Sequence, residues 1–339
     1  MSERWIVREP SVAIAGATGM VGQEMIKVLE QREFPLSGLR LLASERSRGR
    51  SLEFRGESVP VQVLDEGSFE GIDLALFSAG TSISERFAPI AAASGTVVVD
   101  NSNAWRMDPE VPLVVPEVNP AKALSHKGII ANPNCSTIQM VVVLQPLHAR
   151  FGLKRVVVST YQSVSGTGKE AVEELKRQVA ALELGEPAVA EVYPHRIAYN
   201  CIPHIDVFLE NGYCREEQKM VDETRKIMGI ADLALTATTV RVPVFVGHSE
   251  SINAQFESPV EPDQARDVLA SAPGVTVLDD PGADLYPLAV DCEGKDPAFV
   301  GRIRKDFSAL NALNMWVVSD NLRKGAALNA VQIGELLLG

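Results

Sequence analysis

Apolar and polar positions follow different rules in the two halves of the chain. In the first half, short apolar runs stand between stretches with helical spacing. Ser11-Val12-Ala13-Ile14-Ala15 reads as a buried strand, and apolar positions at helical spacing follow over 23–31. Further apolar runs fall at 39–43, 74–77, 96–100, 111–115 and 128–131. Near-continuous Val/Ile/Leu runs suit strands covered on both faces, and their alternation with helices predicts a parallel, doubly wound sheet. The second half changes character. A long strand is predicted over 155–165, broken by Gly166-Thr167-Gly168, and a charged amphipathic helix over 169–184. The stretch 185–206 is irregular and carries Pro187, Pro194 and Pro203; a second helix is predicted over 216–228. Strand-like runs follow at 235–242, 244–246, 251–256, 275–278 and 299–303, and a helical pattern rich in Ala and Leu at 321–338. That set predicts an α+β domain on a mixed or antiparallel sheet, with an exposed face able to pack on a second subunit.

The turn after the first strand is Gly16-Ala17-Thr18-Gly19-Met20-Val21-Gly22. Strand, glycine-rich turn and helix are the context of a dinucleotide-phosphate loop. Glycines admit the pyrophosphate close to the backbone, and the helix N-terminus favours its charge. The spacing is G-x-x-G-x-x-G rather than the commoner G-x-G-x-x-G. After the second strand comes Ser44-Glu45-Arg46-Ser47-Arg48. An arginine between hydroxyls suits a ribose 2′-phosphate, which favours NADP over NAD, with Glu45 as a dissenting acid. Ser78-Ala79-Gly80 ends the run at 74–77, and Arg106 follows the run at 96–100. Ligands of such sheets lie beyond the carboxyl ends of the strands.

Near the middle stands Asn132-Pro133-Asn134-Cys135-Ser136-Thr137, between an apolar run and the helical pattern from Ile138 to Phe151. A thiol at a helix N-terminus feels the positive end of the dipole, which favours thiolate, and the free N–H groups of that turn can hold an oxyanion. Gly152 is the expected C-terminal cap, and Pro146 is expected to kink or break the helix.

A chain of 339 residues predicts about two domains. Hydrophobic residues at 46% and charged residues at 22% are ordinary for a globular protein. The net charge of −12, from 32 basic and 44 acidic residues, argues against nonspecific nucleic-acid binding. It leaves room for a local arginine pocket that binds anions. No apolar run approaches the roughly 20 residues of a membrane span, and Met1-Ser2-Glu3-Arg4-Trp5 opens no signal-peptide core. Cys135, Cys201, Cys214 and Cys292 show no C-x-x-C spacing, so neither a disulfide framework nor a zinc site is expected, and a reducing cytoplasm fits.

From end to end the chain resembles aspartate-semialdehyde dehydrogenases. The resemblance rests on the three stretches already quoted, from Gly16, Ser44 and Asn132. It rests also on Phe77-Ser78-Ala79-Gly80, Asp100-Asn101-Ser102-Asn103-Ala104-Trp105-Arg106, Tyr161-Gln162-Ser163-Val164-Ser165-Gly166 and Glu216-Glu217-Gln218-Lys219-Met220. Arg241-Val242-Pro243-Val244, Gly247-His248-Ser249-Glu250 and Val300-Gly301-Arg302-Ile303-Arg304 complete it. The family fold it implies is a Rossmann-like NADP-binding domain over 1–134, completed by a C-terminal helix at 320–339. A catalytic and dimerisation domain, resembling that of glyceraldehyde-phosphate dehydrogenase, would span 135–319.

The resemblance implies that Cys135 attacks β-aspartyl phosphate, that phosphate leaves a thioester, and that NADPH reduces it to aspartate semialdehyde. His248 would move the proton, Gln162 would orient the nucleophile and Asn134 would polarise the carbonyl. Arg241 would grip the α-carboxylate and Glu216 the α-amino group, while Arg106 and Lys219 would bind phosphate. Cofactor contacts would come from Gly16, Thr18, Gly19, Met20, Val21, Ser44, Arg46, Ser47, Ser78, Gly80, Ser165, Gly166 and Asn321. A homodimer is implied, with no nucleic-acid or membrane partner. Arg48 and Trp105 depart from the usual family pattern. Two rivals are kin that reduce N-acetylglutamyl phosphate and a paralogue that keeps the fold with another acyl phosphate or little turnover. Glu216 argues against the first, since an acetylated amine carries no charge.

Overall fold

The computed structural model describes residues 9–338. The expectation that the chain opens without a leader falls on residues 1–8, outside the described residues. In chain order the elements are β1 (Ser11–Ala15), α1 (Met20–Gln31), β2 (Gly38–Ala43), β3 (Ser51–Phe54), β4 (Glu57–Val63), β5 (Leu74–Phe77), α2 (Thr81–Ala93), β6 (Val97–Asp100) and β7 (Ile129–Ala131). Then come α3 (Cys135–Phe151), β8 (Leu153–Gln162), α4 (Lys169–Glu183), α5 (Arg215–Met228), β9 (Ala234–Arg241), β10 (His248–Phe256) and α6 (Pro262–Ala270). The last are β11 (Val275–Val277), α7 (Ala289–Cys292), β12 (Ala298–Lys305), β13 (Ala312–Ser319) and α8 (Leu328–Leu336). The chain divides into two compact units. One runs to Asn134 and takes up the chain again from Ala326; the other runs from Cys135 to Gly325. Among the described residues no helix is long and apolar enough to cross a membrane.

The first unit is built on a seven-stranded sheet in the order β3-β4-β2-β1-β5-β6-β7, parallel except for the β3/β4 hairpin. Successive residues of β1 enter different cores, as period-two geometry requires. Val12 and Ile14 pack with α1 and α8, whereas Ala13 and Ala15 pack with Phe87, Ala88 and Ala91 of α2. The chain reverses its direction across the sheet between β1 and β5, so the turns after these two strands flank one crevice. The run at 111–115 is not a strand. Pro112 and Pro116 cannot donate to a ladder, and the segment keeps one bridge, Leu113 to Ala131.

The second unit is built on a six-stranded mixed sheet, β11-β12-β13-β10-β8-β9, parallel at β11/β12 and β8/β9. Alternation is clearest in β8 and β10. Val156, Val158, Thr160 and Gln162 of β8, with Ile252, Ala254 and Phe256 of β10, are buried. α3 packs on that sheet and on α5 and α6. Tyr161, Ser251 and Trp316 lie on the opposite, more open face, where the Tyr161 and Trp316 rings stand 5.3 Å apart.

Several expected boundaries move. The strand predicted over 155–165 ends at Gln162, because 163–166 turns to bond another loop. The run at 244–246 is that loop, and it joins no sheet. The helix predicted from residue 321 begins regularly only at Leu328, after a wide turn over Arg323–Ala327. α3 does not break at Pro146: it is one helix of 17 residues, held by burial of Leu144, Leu147 and Phe151 around the proline. Gly152 ends it with φ +72°, donating to His148 O at 2.9 Å, as a C-terminal cap does.

Candidate active site

Pairing brings four strand ends of the second unit together. Gln162 ends β8 and is the register partner of Arg241, which ends the parallel neighbour β9. His248 opens the antiparallel β10 and is paired with Ser319 at the end of β13. The loop between β9 and β10 is pinned to the turn after β8. Val164 N–H donates to Val244 O at 2.9 Å and Ser165 N–H to Phe245 O at 3.1 Å. Gly247 N–H donates to Asn321 Oδ1 at 2.9 Å. Gly247 has φ +91° and its Cβ position lies 3.0 Å from the Ala289 side chain, so only glycine turns the chain into β10 here.

The side chains gathered there form one polar network. The Gln162 amide is set from two sides: Oε1 accepts from Thr160 Oγ1 at 3.1 Å and Nε2 donates to Glu216 Oε1 at 3.2 Å. The same Nε2 lies 3.4 Å from His248 Nε2. Glu216 sits in the first turn of α5, and its other oxygen accepts from Lys219 Nζ at 3.2 Å. Lys219 also donates to Asp206 at 2.9 Å. Arg241 is buried and donates from Nη1 to Ser163 O at 2.7 Å. Its Nε has no partner among the described residues, an orphaned charged donor of the kind a bound carboxylate satisfies. His248 is fully buried. Burial first, and then the Arg241 charge, push it down to about 3, against the opposing pull of Glu216, so the ring is neutral at pH 7.

Gly166 borders both groups. A Cβ on it would lie 3.0 Å from Arg241 Nη1 and 3.2 Å from the His248 ring, so the missing side chain leaves space beside each. Cys135 is the first residue of α3, half-buried and in no disulfide, with no acid in the helix's first turn. Gly325 lets the backbone approach it: a Cβ there would come within 2.9 Å of Cys135 Cβ.

In the first unit, Gly16 has φ +89° and its Cβ position would sit 2.3 Å from Ser78 O, so glycine is what allows the β1 turn to lie against the β5 turn. Gly19 caps α1, with Met20 and Val21 in a first turn that holds no acidic residue and no side-chain cap. Those N–H groups fit a phosphate. Beyond β2, Ser44 precedes a tight turn over Glu45–Ser47, and Ser47 Oγ lies 3.1 Å from Thr18 Oγ1. Arg46 is exposed, and Glu45 is engaged by Arg48 at 2.6 Å, which neutralises the dissenting acid. Gly80, with φ +86° and open space at its Cβ position, caps α2 after Ser78. Arg106 is buried, donating to Asn132 O at 3.0 Å and Asn101 O at 2.8 Å, and Asn134 is buried too. This donor set fits a nicotinamide dinucleotide bearing a 2′-phosphate.

A family profile described as "Semialdehyde dehydrogenase, NAD binding domain" matches residues 11–126, and one described as "Semialdehyde dehydrogenase, dimerisation domain" matches 144–324. Aspartate-semialdehyde dehydrogenase of Aquifex aeolicus is 58% identical over 331 residues, covering 96% of this chain and 97% of the relative. The chain belongs to the aspartate-semialdehyde dehydrogenase family. The Bacillus subtilis member is 51% identical, with 96% of each chain covered. A crystal structure of aspartate semialdehyde dehydrogenase II from Vibrio cholerae superposes with TM-score 0.94 at 49% identity, covering 97% of this chain and 98% of that one. The same Vibrio enzyme has been solved in complex with ASA, and a Candida albicans member with NADP, the latter at TM-score 0.76 and 27% identity over 97% of this chain and 98% of that one.

Reading the sequence missed two features: Ser163, which touches both His248 and Arg241, and the buried acid Glu250 on β10. Each had a signal. Ser163 directly follows Gln162 in a motif with assigned chemistry. Glu250 stands two residues past His248, the spacing that shares a strand face.

Proposed function

We propose that this chain is an NADP-dependent, phosphorylating aspartate-semialdehyde dehydrogenase of amino-acid biosynthesis. It converts L-aspartyl-4-phosphate to L-aspartate-4-semialdehyde through a thioester on Cys135. The observation that carries this reading is the set of counter-charges around His248. The orphaned Arg241 Nε awaits a carboxylate, and Glu216 offers a buried acid to an ammonium group.

Arg241 holds the substrate α-carboxylate and Glu216 its α-amino group, which excludes an N-acetylated substrate. Lys219 and Arg106 bind the phosphate, and Gln162 orients the reacting centre. His248, neutral at pH 7, takes the Cys135 proton, and the thiolate displaces phosphate from the acyl carbon. Asn134 and the first N–H groups of α3 stabilise the carbonyl oxygen as charge gathers on it. The glycine turn with Ser44, Arg46, Ser47, Ser78, Gly80, Ser165, Gly166 and Asn321 would hold NADPH, which would supply the hydride. His248 returns the proton to the thiohemiacetal oxygen. As the C–S bond breaks, His248 takes the hydroxyl proton back and passes it to the departing sulfur, so the aldehyde and the Cys135 thiol are released.

The chain works as a homodimer, with the open face of the six-stranded sheet as its contact surface, and in the cytoplasm, where a reactive thiol stays reduced. The deciding experiment is phosphate-dependent reduction of NADP by aspartate semialdehyde, run beside Cys135→Ser and repeated with NAD. Turnover that needs phosphate and Cys135 is expected. A folded, NADP-binding protein that does not turn over would point to a paralogue acting on another acyl phosphate.

A further inference from the structure

The His248 ring meets Ser163 at Nδ1, and Ser163 offers two contacts of opposite character. Its backbone N–H donates to Nδ1 at 3.1 Å, and its hydroxyl oxygen lies 3.1 Å from the same nitrogen. The N–H can only donate. Acting alone it fixes Nδ1 as an acceptor and leaves the single proton of a neutral imidazole on Nε2. A ring in that state has no lone pair at Nε2 with which to take a proton.

The hydroxyl works the other way. Its own proton is committed elsewhere: Ser163 Oγ donates to Asn321 Oδ1 at 3.0 Å. That oxygen also accepts from Gly247 N–H at 2.9 Å, while Asn321 Nδ2 donates to Ser165 Oγ at 3.0 Å, which sets the orientation of the amide. With its hydrogen used on Asn321, the Ser163 oxygen faces the ring as an acceptor. The Gln162 Nε2 contact at 3.4 Å favours the same state, since it places a donor against Nε2.

We propose that Ser163 is a positioning residue for His248: its hydroxyl, held by Asn321, receives the Nδ1 proton and so frees the Nε2 lone pair for the proton of Cys135. The bond persists when Nε2 is protonated, because Nδ1–H still needs an acceptor. The proton leaves sulfur for Nε2, Nδ1–H stays on Ser163, and no further reactant is required. The charged groups facing the ring are Arg241 from β9 and Glu216 from α5. Removing the Ser163 hydroxyl changes neither, so the variant isolates the tautomer.

This inference rests on the acid/base role given to His248 above, and the test separates the two. Protein labelled with 15N-histidine is compared as wild type, Ser163→Ala and His248→Asn, the last also serving to assign the resonance. In the wild type the Nδ1 resonance is displaced toward the protonated, pyrrole-type position; in Ser163→Ala it moves to the bare, pyridine-type position. Loss of an acceptor for a charged donor lowers kcat by about ten- to hundredfold, with KM for the semialdehyde unchanged. Turnover that survives His248→Asn sinks the acid/base role itself. Turnover that needs His248 while Ser163→Ala changes neither kcat nor the resonance overturns the proposal alone. Should Ser163→Ala fail to fold, the wild-type spectrum decides: a fully bare Nδ1 overturns it.

Discussion

Replacing Glu250 by glutamine should make stability less sensitive to pH, in a direction and amount that follow from where the residue sits. Glu250 lies two residues past His248 on β10, opposite Thr160 of β8 and Val317 of β13, and is wholly buried. Neither carboxyl oxygen has a hydrogen-bond partner among the described residues. Burial therefore pushes the group well above the ordinary carboxylate range, and the Gln139 amide, approaching from α3 without closing a bond, offsets only part of that. Below the ordinary carboxyl pKa both folded and unfolded chains are protonated, and stability is full. As pH rises above it, the unfolded chain ionises first, so stability falls until the folded pKa is reached. The slope for one proton is about 1.4 kcal/mol per pH unit. Glutamine keeps the shape and cannot ionise. Between pH 5.5 and 6.5 Glu250→Gln should gain about 1.4 kcal/mol on the wild type, or about 3–6 °C in Tm for a unit of this size. Scanning calorimetry of both proteins at the two pH values reads the difference directly. A Tm gap that stays constant, or narrows as pH rises, would refute the claim that this acid is neutral in the folded protein.

Four further outcomes follow from the site. Cys135→Ser should abolish turnover while NADPH still binds, as measured by cofactor fluorescence. Arg241→Ala should raise KM for the semialdehyde by about tenfold or more, since it removes a buried charged donor; equal KM in both proteins would place the carboxylate elsewhere. Gly166→Ala puts a methyl 3.0 Å from Arg241 Nη1 and 3.2 Å from the His248 ring, so kcat/KM should fall by about tenfold or more with Tm little changed. Arg46→Ala should weaken NADP by about tenfold and leave NAD untouched, because Arg46 is exposed beyond β2 and Glu45 is already paired with Arg48. A parallel loss with NAD would move the 2′-phosphate contact to another residue.

Much of the fold was legible because it rests on local rules. β1 and β5 fall where unbroken apolar runs place them, and Gly152 ends α3 as a glycine cap does. What could not be read depended on partners far along the chain. β13 has no clear alternation of its own, yet it pairs with both β10 and β12. β3 and β4 are short, mix polar and apolar residues, and exist as a hairpin around Arg55 and Gly56, both at positive φ. Pro146 argued against a helix that tertiary burial then kept whole.

The candidate site divides along the same line. Cys135, His248 and Arg241 became candidates through the motifs that carry the family resemblance, not through residue type alone. Their states did not follow from those motifs. Whether His248 is neutral depends on burial and on Arg241 reaching it from another strand. Whether it can act as a base depends on a serine 85 positions earlier whose hydrogen is turned away by an asparagine 158 positions later. The candidate residues can thus be named from the motifs they stand in, but their protonation is a property of the strand ends being brought together. The same sheet pairing that aligns Gln162 with Arg241 places Ser163 against both His248 and Arg241, so register in this sheet sets the geometry of the candidate site.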